Sequence, residues 1–408
     1  MLNKRCRFAL NKFALALLLL LSGQGLAQCR YHWYLDADFS GAQSSSRAIQ
    51  QGLMTALAEV DFKVKGCEIR LIEKDHQANP LTSRENLQAF LTDPYGLVVF
   101  SGLHSPPVLS NQSFINKNKI LFLVPWAAAG PITRSSSNSN WIFRLSIDDS
   151  KAGKFITERA LAEGFQRPFL LLEDTGWGRS NYVTMLQALK RHNKVPSGIS
   201  WFKWGLSQNQ AALLLNHIKR SEADVIFFVG NAPEGETFVL ASNQGGAAFP
   251  IPIRSHWGIT GGNFINTKTQ SLIEKLDLHF IQTRFSFLAL PLSEFAASVL
   301  KNAIDIHPEL DTAEDIKAQT GFVHSYDLAR ILIAAMKQTQ FTGNKQKDKI
   351  ALHHALENLA LPVQGLLKEY HRPFAPYSEF AGDAHEALSP KDYAMGRYRA
   401  NGSVELIK

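Results

Sequence analysis

Six stretches of the sequence place hydroxyl, carboxyl, amide, imidazole or indole groups directly after a run of apolar residues. They are Asp36 to Ser46, Gly102 to Pro106, Pro125 to Gly130, Asp174 to Gly178, Asn231 to Glu234, and His256 to Gly258. Where open α/β sheets bind ligands they do so just beyond the carboxyl ends of strands, so this recurrence is a ligand-site signal. Ser hydroxyls and small residues that bare backbone N–H groups suit hydrogen bonding, and Trp126, Trp177 and Trp257 supply an aromatic wall. The candidate contacts are Ser45, His104, Ser105, Trp126, Ala128, Trp177, Asn231, Glu234, His256 and Trp257.

The chemistry of turnover is thinly represented. The sequence has no phosphate-binding Walker loop, no G-x-S-x-G elbow, no H-E-x-x-H and no paired C-x-x-C. His104 and Ser105 are adjacent, a spacing that seldom gives nucleophile and base geometry. His353 and His354 are the only adjacent histidines, and neighbours on a helix diverge by about 100°, so they do not share a metal. A binding protein without catalytic activity, resident cofactor or metal is expected.

These groups need a scaffold, and the pattern supplies one. Strands are expected at Arg30 to Leu35, Glu68 to Glu73, Leu97 to Ser101, Ile120 to Val124, Phe169 to Glu173, Ile199 to Trp204, Val225 to Gly230 and Ile251 to His256. Runs such as Val98-Val99-Phe100 and Ile226-Phe227-Phe228 are apolar on both faces, as in parallel sheets. Helix-period segments lie between them, and Asp148, Asp149 and Ser150 offer caps for a helix over 151–163. The alternation predicts an α/β architecture in two lobes of similar size. Helices return at Ser293 to Asp305, Tyr326 to Gln338 and Lys349 to Leu359, and Asn401-Gly402 marks a closing hairpin.

At 408 residues, with 45% hydrophobic and 19% charged residues, the chain is long enough for both lobes and is not of disordered composition. Residues 1–27 read as an export signal: Lys4, Arg5, Arg7 and Lys12, then an apolar run from Phe13 to Leu21, then small residues up to Ala27. That segment holds four of the 43 basic residues and none of the 36 acidic ones, so without it the formal charge falls from +7 to +3. Little ground remains for a nucleic-acid partner. Cys29 and Cys67 are then the remaining pair in an oxidising compartment, each at the start of an expected strand. If those strands are adjacent and parallel, the thiols meet and a disulfide forms; acylation of Cys29 is the rival, with Gln28 where lipidation normally needs a small residue.

From Asp36-Ala-Asp-Phe-Ser-Gly41 to the final hairpin the chain resembles the type I periplasmic ligand-binding proteins, the receptor family typified by leucine/isoleucine/valine-binding proteins of ABC importers. The markers are Val98-Val-Phe-Ser-Gly-Leu-His-Ser105, Val124-Pro-Trp-Ala-Ala-Ala129, Phe143-Arg144, Glu173-Asp-Thr-Gly-Trp-Gly178, Gly230-Asn-Ala-Pro-Glu234, Ser255-His-Trp-Gly258 and Ser325-Tyr-Asp327. The resemblance implies two doubly wound Rossmann-like lobes joined by a three-crossing hinge, one from 28–147 plus 283–345 and the other from 148–282 plus 346–408. It implies a monomer in the periplasm that closes on a small molecule, an amino acid, amide, urea-like compound or small carboxylate, and serves a membrane permease or a sensor protein. Ser105 matches the serine that holds a ligand carboxylate, and Trp126 and Ala128 fall on the loop that supplies amides, with Ala128 replacing the usual Thr or Ser. Trp177 matches an aromatic of the second lobe. Ser255-His256-Trp257 occupies a loop that commonly carries the acid for an ammonium group, so a zwitterion would need Glu234, Asp174 or Asp327 instead.

Overall fold

The computed structural model describes residues 29–135, 139–243, 251–262 and 264–407; the expected signal segment lies outside them. Among the described residues no helix is long and apolar enough to cross a membrane.

The first lobe is a six-stranded sheet in the order β2-β3-β1-β4-β5-β6. Its strands are β1 (Arg30–Ala37), β2 (Lys63–Val64), β3 (Cys67–Asp75), β4 (Gly96–Ser101), β5 (Phe122–Val124) and β6 (Ile142–Arg144). Helices α1 (Gln43–Ala58), α2 (Pro80–Thr92) and α3 (Ser105–Lys117) cross between them. Every residue of β4 and β5 is buried, which is why their sequences lack alternation. β1 pairs with β3 in parallel, Arg30 opposite Glu68. Cys29 and Cys67 therefore meet at the strand starts, Cα atoms 4.5 Å apart, and are disulfide-bonded as expected.

The second lobe is a seven-stranded sheet, β15-β14-β11-β10-β9-β7-β8. It contains β7 (Pro168–Glu173), β8 (Gly198–Phe202), β9 (Val225–Val229), β10 (Ile253–Ser255) and β11 (Leu278–Thr283), with α4 (Asp149–Ala162), α5 (Gly176–Arg191), α6 (Gln208–Arg220) and α7 (Ala232–Ser242). Asp148 caps α4, its carboxylate accepting from the Ser150 amide at 2.9 Å. The order β3-β1-β4-β5 in one sheet and β8-β7-β9-β10-β11 in the other is the same winding, so the lobes are structural repeats without visible repetition in the letters.

The chain then returns to the first lobe. Helices α8 (Glu294–Ile306), α9 (Gln319–Gln338) and α10 (Lys345–Glu357) follow, and α9 packs along α1. A small ribbon, β12 (Val363–Gln364) and β13 (Glu369–Tyr370), precedes β14 (Tyr393–Tyr398) and β15 (Val404–Ile407), which close the second sheet as a hairpin over Asn401-Gly402. The boundary expected at 346 needs correction. α10 belongs with the first lobe, where Lys345 Nζ donates to the Phe90 carbonyl at 3.1 Å and Lys349 Nζ to the Lys119 carbonyl at 3.2 Å. The last crossing falls near 386–393 instead.

Three segments join the lobes, leaving β6, leaving β11 and entering β14. A buried ion cluster ties the first to the third. The Arg144 guanidinium forks onto Glu386, with Nη2 to Oε1 at 2.6 Å and Nε to Oε2 at 2.8 Å, and reaches Asp148 at 2.9 Å. Arg134 adds a second cation on Asp148 at 2.6 Å, and the Tyr393 hydroxyl accepts from the Asp148 amide at 2.9 Å. Burial alone would raise the Asp148 carboxyl, but Arg144 and Arg134 hold it far below the carboxylate range.

Candidate functional site

In each lobe the strand order reverses between two parallel neighbours, β1 and β4 in one, β7 and β9 in the other. Such switch points open a crevice at the strands' carboxyl ends, and here the two crevices face each other. Ser105 opens α3 from the end of β4, followed by Pro106 and Pro107, which tolerate the first helical turn because it needs no N–H bonds. Its Oγ accepts from the Ala129 amide at 3.2 Å and so fixes the loop after β5. That loop buries Trp126. The glycine at 321 lets α9 pass beneath it, since a Cβ there would lie 2.7 Å from the indole.

Trp177 sits in the first turn of α5, and Gly178 allows the tight turn because a Cβ there would lie 1.9 Å from the Glu173 carbonyl. The indole meets His256 edge-on with centroids 5.0 Å apart. Trp257 faces Trp126 across the lobes at 6.0 Å, and His104 faces Trp204 at 5.1 Å. Ser180 of α5 accepts from the Gly130 amide of the opposite lobe at 3.1 Å. The lobes are in contact, and the structure is a closed form.

The polar groups of the cleft are unevenly satisfied. The indole N–H groups of Trp126 and Trp177 are buried without a partner. Glu173 accepts from Asn231 Nδ2 at 2.8 Å and from Thr175 Oγ1 at 3.0 Å. Burial nevertheless pushes its carboxyl up to about 7. Burial also raises Glu234, whose Oε1 accepts from the Gly205 amide at 3.0 Å. Asp38 shows the reverse. Burial would raise it, but hydrogen bonds from His104 at 3.1 Å and the Gly41 amide at 2.7 Å keep it below its usual value. Burial beside His104 pushes the neighbouring His76 down to about 4.

Two chambers result. The inner one, about 10 Å³, is lined by Ser105, Trp126, Ala128, Trp177, Trp257 and their neighbours. The outer one, about 400 Å³ and open to solvent, is lined by Asp38, Ser44, Trp204, Glu234 and others. His104 and Asn231 border both. No Lys or Arg lines either chamber among the described residues.

Two expected contacts are not delivered to the cleft. Ser45 is buried, its hydroxyl donating to the Ala42 carbonyl at 2.8 Å at the start of α1, and Ser44 takes the chamber position. His256 spends both ring nitrogens inside the second lobe: Nδ1 accepts from the Trp257 amide at 2.9 Å, so Nε2–H donates to Asp149 at 2.7 Å. Of the acids considered for an ammonium group, Asp174 pairs with Arg179 at 2.6 Å and Asp327 is buried beneath Tyr370, leaving Glu234. Glu173 and Trp204 line the inner chamber but were not singled out; their position at the ends of β7 and β8 was the available signal.

A family model described as periplasmic binding protein matches residues 35–257. Among curated proteins none matches. The fold is similar to a type 1 periplasmic binding protein from Bordetella pertussis Tohama I, at 15% identity and a TM-score of 0.72 over 93% of this chain and 99% of that one. A solute binding protein of an ABC transporter from Rhodopseudomonas palustris HaA2, solved with p-hydroxybenzoic acid, gives 15% identity and a TM-score of 0.73 over 93% and 97%. A leucine binding protein from Thermotoga maritima MSB8 gives 14% identity and a TM-score of 0.70 over 93% and 98%.

Proposed function

The chain belongs to the periplasmic binding protein family, whose model spans more than half of it, and from that premise we propose that it is an exported, non-enzymatic receptor for a small nitrogen-bearing solute. The observation that carries the ligand class is the lining: four indoles, two carboxyl groups with raised pKa and no Lys or Arg. A simple carboxylate would find only neutral donors there, Ser105 and the indole N–H groups. An amide, urea or amino compound brings N–H groups to Glu173 and Glu234 and lays its apolar or cationic face on Trp177 and Trp204. An amino acid fits the same lining if its ammonium meets Glu234 and its carboxylate meets Ser105.

Closure follows from differential contact. A ligand touching Ser105 and Trp126 on one side and Trp177, Asn231 and Glu234 on the other binds the closed state better than the open one, and that difference shifts the population. The closed monomer is then read by a membrane permease of an ABC importer or by a sensor protein in the periplasm.

The small inner chamber favours a second reading, in which the lobes close on their own indoles and the chain acts by touching its partner without capturing a solute. Thermal-shift screening separates the two. Amides, ureas and amino compounds should raise the melting temperature, and Trp177→Ala should abolish that rise while the protein remains folded. Silence across the whole panel, or stabilisation indifferent to Trp177, would overturn the capture reading.

A further inference from the structure

A second constellation lies away from the cleft, where α10 and the segment approaching the last crossing cover the edge strand β6. His353 and Glu357 are four residues apart on α10 and so share a face. Nδ1 of His353 is 3.6 Å from one Glu357 oxygen, and Nε2 of His385 is 3.1 Å from the other. The three ligating atoms lie within 4.8 Å of one another. His385 is fully buried and stacks on Phe143 at 3.8 Å, while His353 and Glu357 keep slight exposure at 15% and 11% of their side chains.

The outer nitrogens of both rings are already committed. His353 Nε2 is 2.8 Å from the Asn140 carbonyl, and His385 Nδ1 is 3.0 Å from the Ile142 carbonyl. A carbonyl only accepts, so each ring carries its hydrogen there and, when neutral, turns a lone pair toward Glu357. Imidazoles anchored through one nitrogen with the other directed inward are the arrangement found in metal ligands. The Tyr377 amide donates to one Glu357 oxygen at 3.1 Å, which orients the carboxylate without neutralising it. Three acceptors converging in a largely buried site call for a cation.

We infer that His353, Glu357 and His385 bind a divalent transition-metal ion of the zinc class, with water completing the coordination on the exposed side. Two imidazoles and one carboxylate form a donor set suited to zinc, and the borderline-soft nitrogens select against calcium and magnesium. The adjacent pair His353 and His354 carries no expectation of a metal, because neighbours on a helix diverge. The structure leaves His354 on the exposed face and pairs His353 with the residue four places on and with a histidine far along the chain. Since Glu386, next to His385, holds Arg144, the ion would brace the crossing that ties the lobes.

The test uses the full chain with its disulfide intact, stripped with a chelator and titrated with Zn(II) against a chromophoric competitor; Co(II) serves as a spectroscopic probe. One equivalent should bind, Co(II) should show the visible absorption of a low-coordinate nitrogen and oxygen site, and Zn(II) should raise the melting temperature. His353→Gln and Glu357→Gln should each weaken binding at least tenfold, whereas His371→Gln, in an exposed pair with Glu369, should leave it unchanged. Absence of saturable binding would overturn the assignment. So would binding that survives both variants, or binding that is lost in His104→Gln, which would put the ion in the cleft beside Asp38 and His76.

Discussion

The hinge and the inner chamber of the cleft both lie buried between the lobes, yet their polar groups are balanced in opposite ways. At the hinge, Arg144 forks onto Glu386 and touches Asp148, Asp148 also takes Arg134, and its amide meets Tyr393. In the cleft, two indole N–H groups have no acceptor, and burial pushes the Glu173 carboxyl up to about 7. A buried polar group without its partner costs about 1–3 kcal/mol. Arg144, Glu386 and Asp148 at the hinge are mutually paired, whereas the cleft carries two unspent indole donors that a bound molecule can satisfy.

The sharpest way to break this contrast is Arg144→Met, which keeps an unbranched apolar stem but removes the guanidinium and leaves Glu386 and Asp148 buried with less counter-charge. A loss of about 3–5 kcal/mol in urea unfolding is expected, and a loss under about 1 kcal/mol would show that the cluster is not the hinge's main tie. Gly258→Ala attacks the cleft floor without altering charge. Its Cβ would lie 2.6 Å from the Gly230 carbonyl and 2.6 Å from the Trp177 ring. The expected cost is about 1–3 kcal/mol, with ligand-induced stabilisation lost as Trp177 is displaced; full binding in this variant would argue against the site.

A third effect concerns pH. Because the folded pKa of Glu173 is raised to about 7, the folded protein keeps a proton that the unfolded chain releases near 4.5. Its contribution therefore favours folding at low pH and is lost as pH rises toward 7, with no further change above. Glu173→Gln should gain about 3 kcal/mol over the parent at pH 8 and nothing at pH 4. Asp36 and Asp327, raised by burial to about 7 and about 6, impose the same slope on both proteins, so the difference between the two curves is the measurement. A difference that grows toward acid would reverse the assignment.

All eight strands expected from apolar runs are present, and β4, β5, β7 and β9, buried on both faces, carry their signal in consecutive letters. β6 and β11 were missed. The first has three residues, and the second, Leu-His-Phe-Ile-Gln-Thr, mixes polar groups because its neighbour on one side is the antiparallel β14. In the cleft, the end of a strand told where a residue lies but not which way it turns. Ser105, Trp126 and Trp177 reach the inner chamber, whereas Ser45 bonds at the start of its own helix and His256 braces α4. The metal ligands were illegible for another reason: His385 is separated from Glu357 by a loop whose path no periodicity records.

The crossings between lobes also govern how the protein can be made. Ser325 of α9 donates to the Ile49 carbonyl of α1, 276 positions earlier, and β14 pairs with β11 only after more than a hundred residues have intervened. Neither half can be finished by a growing chain until roughly its last quarter has emerged, and pairings of such range place folding among the slow cases, milliseconds to seconds. Premature compaction of either half is thereby discouraged, and both halves reach their final form together.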